Sequence, residues 1–241
     1  MSFLAMINRR LLFFILISIV VTIFSCKDDV VEAPVDQHYG IYYPVEEGFW
    51  IEYAVDSIVH LDSDDPYLVD TSILTYHFQV REQIDTPFVD GEGDTAFVVI
   101  RYRRDADTMP WEFSSIWTSK LTANSLQRVE DNRRYVRLSF PITVRSHWNG
   151  NAYNDLDPED YSYDDLFQSL PLNTFTFDST VTVIQNDFTS NINRIYKKEI
   201  YANHAGLIFK QLDSVNTAIS SGSTIILNGI EYSQTVTDYA H

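Results

Sequence analysis

The densest set of metal-capable side chains lies between Asn149 and Asp165. It holds Asn149, Asn151, Asn154, Asp155, Asp157, Glu159, Asp160, Asp164 and Asp165. Calcium takes several oxygen ligands from close-set carboxylates, amides and carbonyls. Asn151, Asp155 and Asp157 are the donors whose spacing suits it best. The stretch lacks the internal glycine and the distant glutamate of an EF-hand loop, so a solvated acidic loop is the plainer reading. Calcium is the only cofactor the sequence offers. Asp90-Gly-Glu-Gly-Asp94 is a second acidic cluster, and its glycines read first as a hairpin turn.

Catalytic patterns are missing. The histidines stand at 38, 60, 77, 147, 204 and 241, with no pair at metal-ligand spacing. His77 falls on the polar face of a strand and reads as a surface residue. There is no Gly-x-Ser-x-Gly elbow, phosphate loop or dinucleotide fingerprint. Paired carboxylates can hydrolyse glycosides, but among 34 acidic residues pairs meet by chance. The expectation is a protein that is not an enzyme.

Aromatic rings are the other chemical resource: 15 Tyr, 15 Phe and 4 Trp. Most belong to a β-rich core. Trp111 follows Pro110, and Trp148 adjoins Asn149-Gly150, so both lie near turns. Rings so placed can stack on a ligand such as a sugar face. The alternative is that they fold back over a sheet edge.

Cys26 is the only cysteine, so no internal disulfide forms. Before it, Arg9-Arg10 precedes an apolar run from Leu11 to Phe24, broken only by Ser18 and Thr22. That is the layout of an export signal. The run falls short of the roughly 20 residues of a spanning helix. Ile23-Phe24-Ser25-Cys26 resembles the lipobox of bacterial lipoproteins: an aliphatic residue, a loose position, a small residue and the acylated cysteine. The resemblance implies cleavage between Ser25 and Cys26, diacylglycerol on the Cys26 sulfur, and a further palmitate-like chain on the freed amine. One chain binds a membrane marginally, whereas several anchor stably. Arg9-Arg10 lacks the longer context of a twin-arginine signal, which leaves the general export route. Lys27-Asp28-Asp29 resembles the short charged signal that sends Bacteroidetes lipoproteins to the outer face of the outer membrane. A plain solvated tether reads equally well, so the cell surface and the periplasmic face both stay open.

The organisation follows: residues 1–25 a signal peptide, 26–38 a lipid-anchored flexible tether, and 39–241 one β-rich domain. The formal charge is −17, with every acidic residue after Cys26, and loss of Arg9 and Arg10 takes it to −19. Such a surface repels nucleic acid and anionic headgroups. The membrane is therefore met through the lipid on Cys26.

The body reads as strands. Leu74, Tyr76, Phe78 and Val80 alternate with Thr75, His77, Gln79 and Arg81. Residues 50–61 alternate likewise. In 95–104, Ala96, Val98, Ile100 and Tyr102 share one face, while Phe97, Val99, Arg101 and Arg103 share the other. Further strands are expected at 115–121, 125–130, 134–140, 174–186, 194–201, 206–213, 223–228 and 230–239. Asn228-Gly229 between the last two is a tight-hairpin signal. Turn clusters stand at Asp62–Pro66, Asp90–Asp94 and Asn149–Asn151. Tyr161, Leu166, Phe167 and Leu170 are near helical spacing and predict one short helix over 158–170. The fold class is all-β: an antiparallel sandwich or a curved barrel-like sheet, with at most one short helix.

Several stretches resemble a family of uncharacterised Bacteroidetes lipoproteins. They are Tyr43-Pro44, Gly48-Phe-Trp-Ile-Glu-Tyr-Ala-Val-Asp-Ser57, Phe140-Pro141, Trp148-Asn-Gly-Asn-Ala-Tyr-Asn154, Tyr201-Ala202 and Gly206-Leu-Ile208. The Trp148 segment is the most specific. The resemblance implies an envelope location and an all-β domain, and it carries over no catalytic residue. Two roles fit. One is an outer-membrane binding or interaction module that meets a glycan or envelope protein. The other is a periplasm-facing carrier whose barrel mouth holds a lipid or other hydrophobic ligand. A filled core with exposed rings would favour the first, and a cavity lined by rings the second.

Overall fold

Alternating apolar positions make half-buried strands, and here they build one sheet of 12 strands. The computed structural model describes residues 40–61, 73–220 and 222–240. Ser25, Cys26, Lys27-Asp28-Asp29, the tether and the Asp62–Pro66 turn lie outside the described residues. The strands are β1 (Trp50–His60), β2 (Ile73–Val89), β3 (Thr95–Arg104), β4 (Glu112–Leu121), β5 (Ser125–Glu130) and β6 (Arg133–Ser139). They continue as β7 (His147–Asn149), β8 (Asp160–Leu172), β9 (Phe175–Thr189), β10 (Asn193–Ala202), β11 (Gly206–Ser220) and β12 (Ser223–Ala240). Pairing is antiparallel throughout, in the order β6-β5-β4-β3-β2-β1-β12-β11-β10-β9-β8-β7. Two meanders thus join where β1 meets β12. The sheet curls into a nearly closed barrel, the barrel-like form of the expected all-β class.

The seam between the ends of the sheet is built by the segment around Trp148. The Val136 amide donates to the Gly150 carbonyl at 2.9 Å, and the Trp148 indole N–H donates to the Val136 carbonyl at 2.9 Å. The Tyr163 hydroxyl accepts from the Ser139 amide at 3.0 Å and donates to the Ser139 carbonyl at 2.7 Å. Gly150 has to be glycine, because a Cβ there would enter the Tyr161 ring, which is only 2% exposed.

Two sequence expectations are corrected. Residues 160–172 form β8 and not a helix. Tyr161 and Tyr163 are buried at strand spacing, but register shifts follow at Asp164/Leu166, Leu166/Gln168 and Gln168/Leu170. These bulges break the two-residue alternation and leave apolar positions at a spacing that imitates a helix. Nor does Asn228-Gly229 turn a hairpin. β12 runs straight through it, and the reversal lies where Ser220 pairs with Ser223. Gly229 has φ 126° and sits against the Ser214 carbonyl, beside a register shift at Asn216/Thr217, so it serves a bulge and a close backbone approach.

Apolar residues fill much of the interior in two clusters. One centres on Phe49, Ile51, Tyr53, Val55, Val99 and Val236. The other centres on Tyr43, Leu126, Leu138, Tyr161, Val183 and Tyr201. The segment before β1 packs where β10 turns into β11: the His204 amide donates to the Ile41 carbonyl at 2.7 Å, and Tyr43 Oη lies 2.9 Å from Ser119 Oγ.

Candidate functional site

The face of β3 that carries Arg101 points inward. Val99 on that face is fully buried, and Glu82 of β2 pairs opposite Arg101. Residues i and i+2 of a strand share a face, so β5 sends Leu126, Arg128 and Glu130 inward together. Arg137 of β6, Glu199 of β10 and Lys210 of β11 reach the same interior.

These side chains form one connected network. Arg128 Nη2 donates to Glu82 Oε2 at 2.9 Å, and Arg101 Nε stands 3.1 Å from Glu82 Oε1. Arg137 makes a two-point contact with Glu130, at 3.1 and 2.7 Å. Glu199 Oε1 lies 3.5 Å from Arg137 and 3.3 Å from Lys210. The Tyr201 hydroxyl donates to Glu199 Oε2 at 2.6 Å. Arg128 and Glu199 are 2% and 1% exposed, so neither charge is hydrated in the ordinary way. Such charges persist only when paired and hydrogen-bonded.

Electrostatics follow the geometry. Burial pushes the Glu130 and Glu199 carboxyls up, but Arg137 and Lys210 outweigh it and hold both below the usual carboxylate range. Burial, with the Glu199 carboxylate beside it, drives the Tyr201 hydroxyl well up. Burial pushes Tyr232 up to about 12. At neutral pH the carboxylates are therefore ionised and the phenols neutral.

A cavity of about 250 Å³ adjoins the network. Glu82, Arg101, Arg128, Glu130, Glu199 and Lys210 make its charged side, and Trp117, Leu207, Leu212, Ile230, Tyr232 and Gln234 make the rest. The lining comes from β2, β3, β4, β5, β10, β11 and β12, so the cavity belongs to the barrel interior. The Trp117 ring lies 3.8 Å from the Arg101 guanidinium and 5.1 Å from that of Arg128, a stacking that suits planar guanidinium groups. The apolar wall extends further. Ser57 pairs with both Tyr232 and Tyr76, and Val59 with both Ile230 and Leu74. Tyr76 and Leu74 therefore share the inner face, and they remain 45% and 42% exposed.

The residues singled out in the sequence lie elsewhere. Asn151 is buried, donates to the Asp157 carbonyl at 2.7 Å and accepts from Asn154 at 3.2 Å. Asp155 points outward to Arg133 at 3.3 Å, and Asp157 is exposed. The amide of Asn151 is thus spent on the loop, and the Asp155 carboxylate is paired with Arg133. Trp148 packs at the seam, 4.7 Å from Tyr163 and 5.9 Å from Tyr161. Trp111 is flanked by the guanidinium groups of Arg104 at 4.3 Å and Arg81 at 5.2 Å. His77 is on the surface, 2.5 Å from Asp56.

Among the described residues, the carboxylates that converge most closely are Asp90, Glu92 and Asp94 in the β2–β3 turn. They surround the Lys120 ammonium at 2.7, 2.5 and 3.0 Å. Burial alone would depress Lys120, but these carboxylates raise it, and the ammonium holds Asp90 down at about 2. A lysine thus takes the place a metal ion would need.

No protein-family model matches the chain, and no curated protein matches it. Among solved structures, it is similar to a protein from Bacteroides fragilis described as exported and of YmcC-like fold. The TM-score is 0.42 and the identity 10%, over 82% of this chain and 98% of the other. It is also similar to a protein from Parabacteroides distasonis described as a lipoprotein, with a TM-score of 0.39 and 10% identity over 83% of this chain and 98% of the other.

Proposed function

We propose that this protein is a lipid-anchored protein of the outer membrane that binds a small ligand inside its barrel. The anchor rests on Ile23-Phe24-Ser25-Cys26 and the apolar run before it. Binding rests on one observation, the cavity of about 250 Å³ lined from seven strands by ionic groups and by rings. Small-molecule sites are concave and mostly apolar, with a few polar groups that fix orientation, and they start near about 300 Å³. Of the two roles read from the sequence, the cavity favours the carrier. The surface module loses support because Trp111 and Trp148 are already packed against Arg104 and Tyr163. Binding is also favoured over catalysis. The cavity carboxylates Glu130 and Glu199 are held ionised by Arg137 and Lys210, which makes them poor general acids.

Two experiments test the halves separately. Cys26→Ala should move the protein from the membrane to the soluble envelope fraction, and retention in the membrane would refute the lipid anchor. Leu212→Trp should fill the cavity. Protein recovered from cells, unfolded and extracted, should release a small molecule by mass spectrometry that the Leu212→Trp form lacks. Equal recovery from both forms would place the ligand outside the barrel.

A further inference from the structure

The charges inside the barrel do not balance. Among the described residues, Arg101, Arg128, Arg137 and Lys210 are answered by Glu82, Glu130 and Glu199 alone. One positive charge is left over among these groups, of which Arg128, Arg137 and Glu199 are buried. A buried charge without a partner is costly. Burial works against the Arg128 charge, yet Glu82 and Glu130 hold its proton more tightly than usual. The guanidinium charges are therefore not relieved by loss of a proton.

The hydrogen bonds leave the same gap. Arg101 Nε and Arg128 Nε are buried and make no hydrogen bond among the described residues. Glu82 Oε1 lies 3.1 Å from the first but out of line, and Glu130 Oε1 is 3.6 Å from the second. Both arginines line the cavity. Buried donors of this kind ordinarily find an acceptor, and guanidinium groups match the geometry of a carboxylate or similar oxyanion. On the other side of the cavity stand Leu212, Ile230 and Tyr232, and the same face of the sheet continues to Tyr76 and Leu74.

We propose that the barrel takes a small amphiphile with one negative charge, its anionic head against Arg101 and Arg128 and its apolar body along Leu212, Ile230 and Tyr232. This rests on the interior-binding reading above and adds the charge and polarity of the ligand. One negative charge neutralises the surplus, and the apolar wall accounts for the body. A free inorganic anion would leave that wall unused, and a neutral lipid would leave the arginines unanswered.

The test is calorimetric titration of the mature chain, Cys26 to His241 made without lipid. The probes are octanoate, octylammonium, octyl glucoside and acetate, all below micelle-forming concentrations. Octanoate should bind at least about tenfold more tightly than the cationic and neutral octyl compounds, because a charge-assisted hydrogen bond is worth that much. Acetate should bind more weakly than octanoate by a similar factor. Arg101→Gln should abolish the preference for octanoate. If that variant does not fold, Lys210→Gln, at the more exposed end of the network, should reduce it. Equal binding of the three octyl compounds would overturn the anionic head while leaving interior binding in place. Acetate binding as tightly as octanoate would overturn the apolar body. No binding by any probe to protein with an undisturbed melting transition would overturn both this inference and interior binding.

Discussion

Arg128 of β5 reaches past β4 and β3 to Glu82 of β2, 2.9 Å away, with both residues sealed from solvent at 2% and 6% exposure. The pair ties together strands that share no backbone hydrogen bond. Removing one partner strands a buried charge and costs about 3–5 kcal/mol. Arg128→Met should therefore lower stability by about that amount in urea melts, and the double change Arg128→Met with Glu82→Gln should recover part of the loss. A double variant no more stable than Arg128→Met would show that the charges act independently.

Gly150→Ala should open the seam. The added Cβ meets the buried Tyr161 ring, and overpacking of this kind costs about 1–3 kcal/mol. Gly91 has no heavy atom within 4 Å of an added Cβ, so Gly91→Ala should change stability by less than about 0.5 kcal/mol. Paired thermal melts check this. Equal effects at the two glycines would refute the claim that the seam is tightly closed.

Acid should weaken the barrel from within. Glu130 and Glu199 are held below the ordinary carboxylate range by Arg137 and Lys210. Their contribution is present above the unfolded value, about 4.3, and is lost as pH falls toward the folded values. Asp90, lowered to about 2 by Lys120, extends the same loss downward. Urea midpoints should be flat from pH 7 to about 5 and then fall steadily. A midpoint unchanged at pH 3 would contradict the network.

Lys120→Met should leave Asp90, Glu92 and Asp94 facing one another with only Arg134, 2.6 Å from Glu92, to offset their charge. The variant should melt lower than the parent, and added sodium chloride should recover part of the difference by screening. A parent and variant with the same salt response would show that the three carboxylates are far enough apart not to repel.

Much of the frame was legible because β1 alternates and because turn residues bracket β3 and β5, so the bounds of all three were read within a residue. β8 was not, because its bulges scramble the period that distinguishes strand from helix. The site was missed for a different reason. In β3 both faces carry apolar residues, so hydrophobicity alone does not say that the Val99–Arg101 face turns inward. A usable signal was present: Val99-x-Arg101 and Leu126-x-Arg128-x-Glu130 place charges on the same face as an aliphatic residue. A charge in that pattern marks a polar barrel interior when it repeats on several strands. The Asn151, Asp155 and Asp157 set and the two tryptophans came from local spacing, whereas the cavity is assembled by strands far apart in sequence, β2 to β5 on one side and β10 to β12 on the other.

The central claim is that the ligand enters the barrel, and methyl-labelled nuclear magnetic resonance of Leu and Ile residues with octanoate tests it most directly. Leu212 and Ile230 line the cavity, while Ile116 and Ile219 are 60% and 61% exposed and lie outside its lining. Saturable shifts at Leu212 and Ile230 with Ile116 and Ile219 unmoved are the predicted result. Shifts confined to the exposed methyl groups, with Leu212 and Ile230 unchanged, would contradict it.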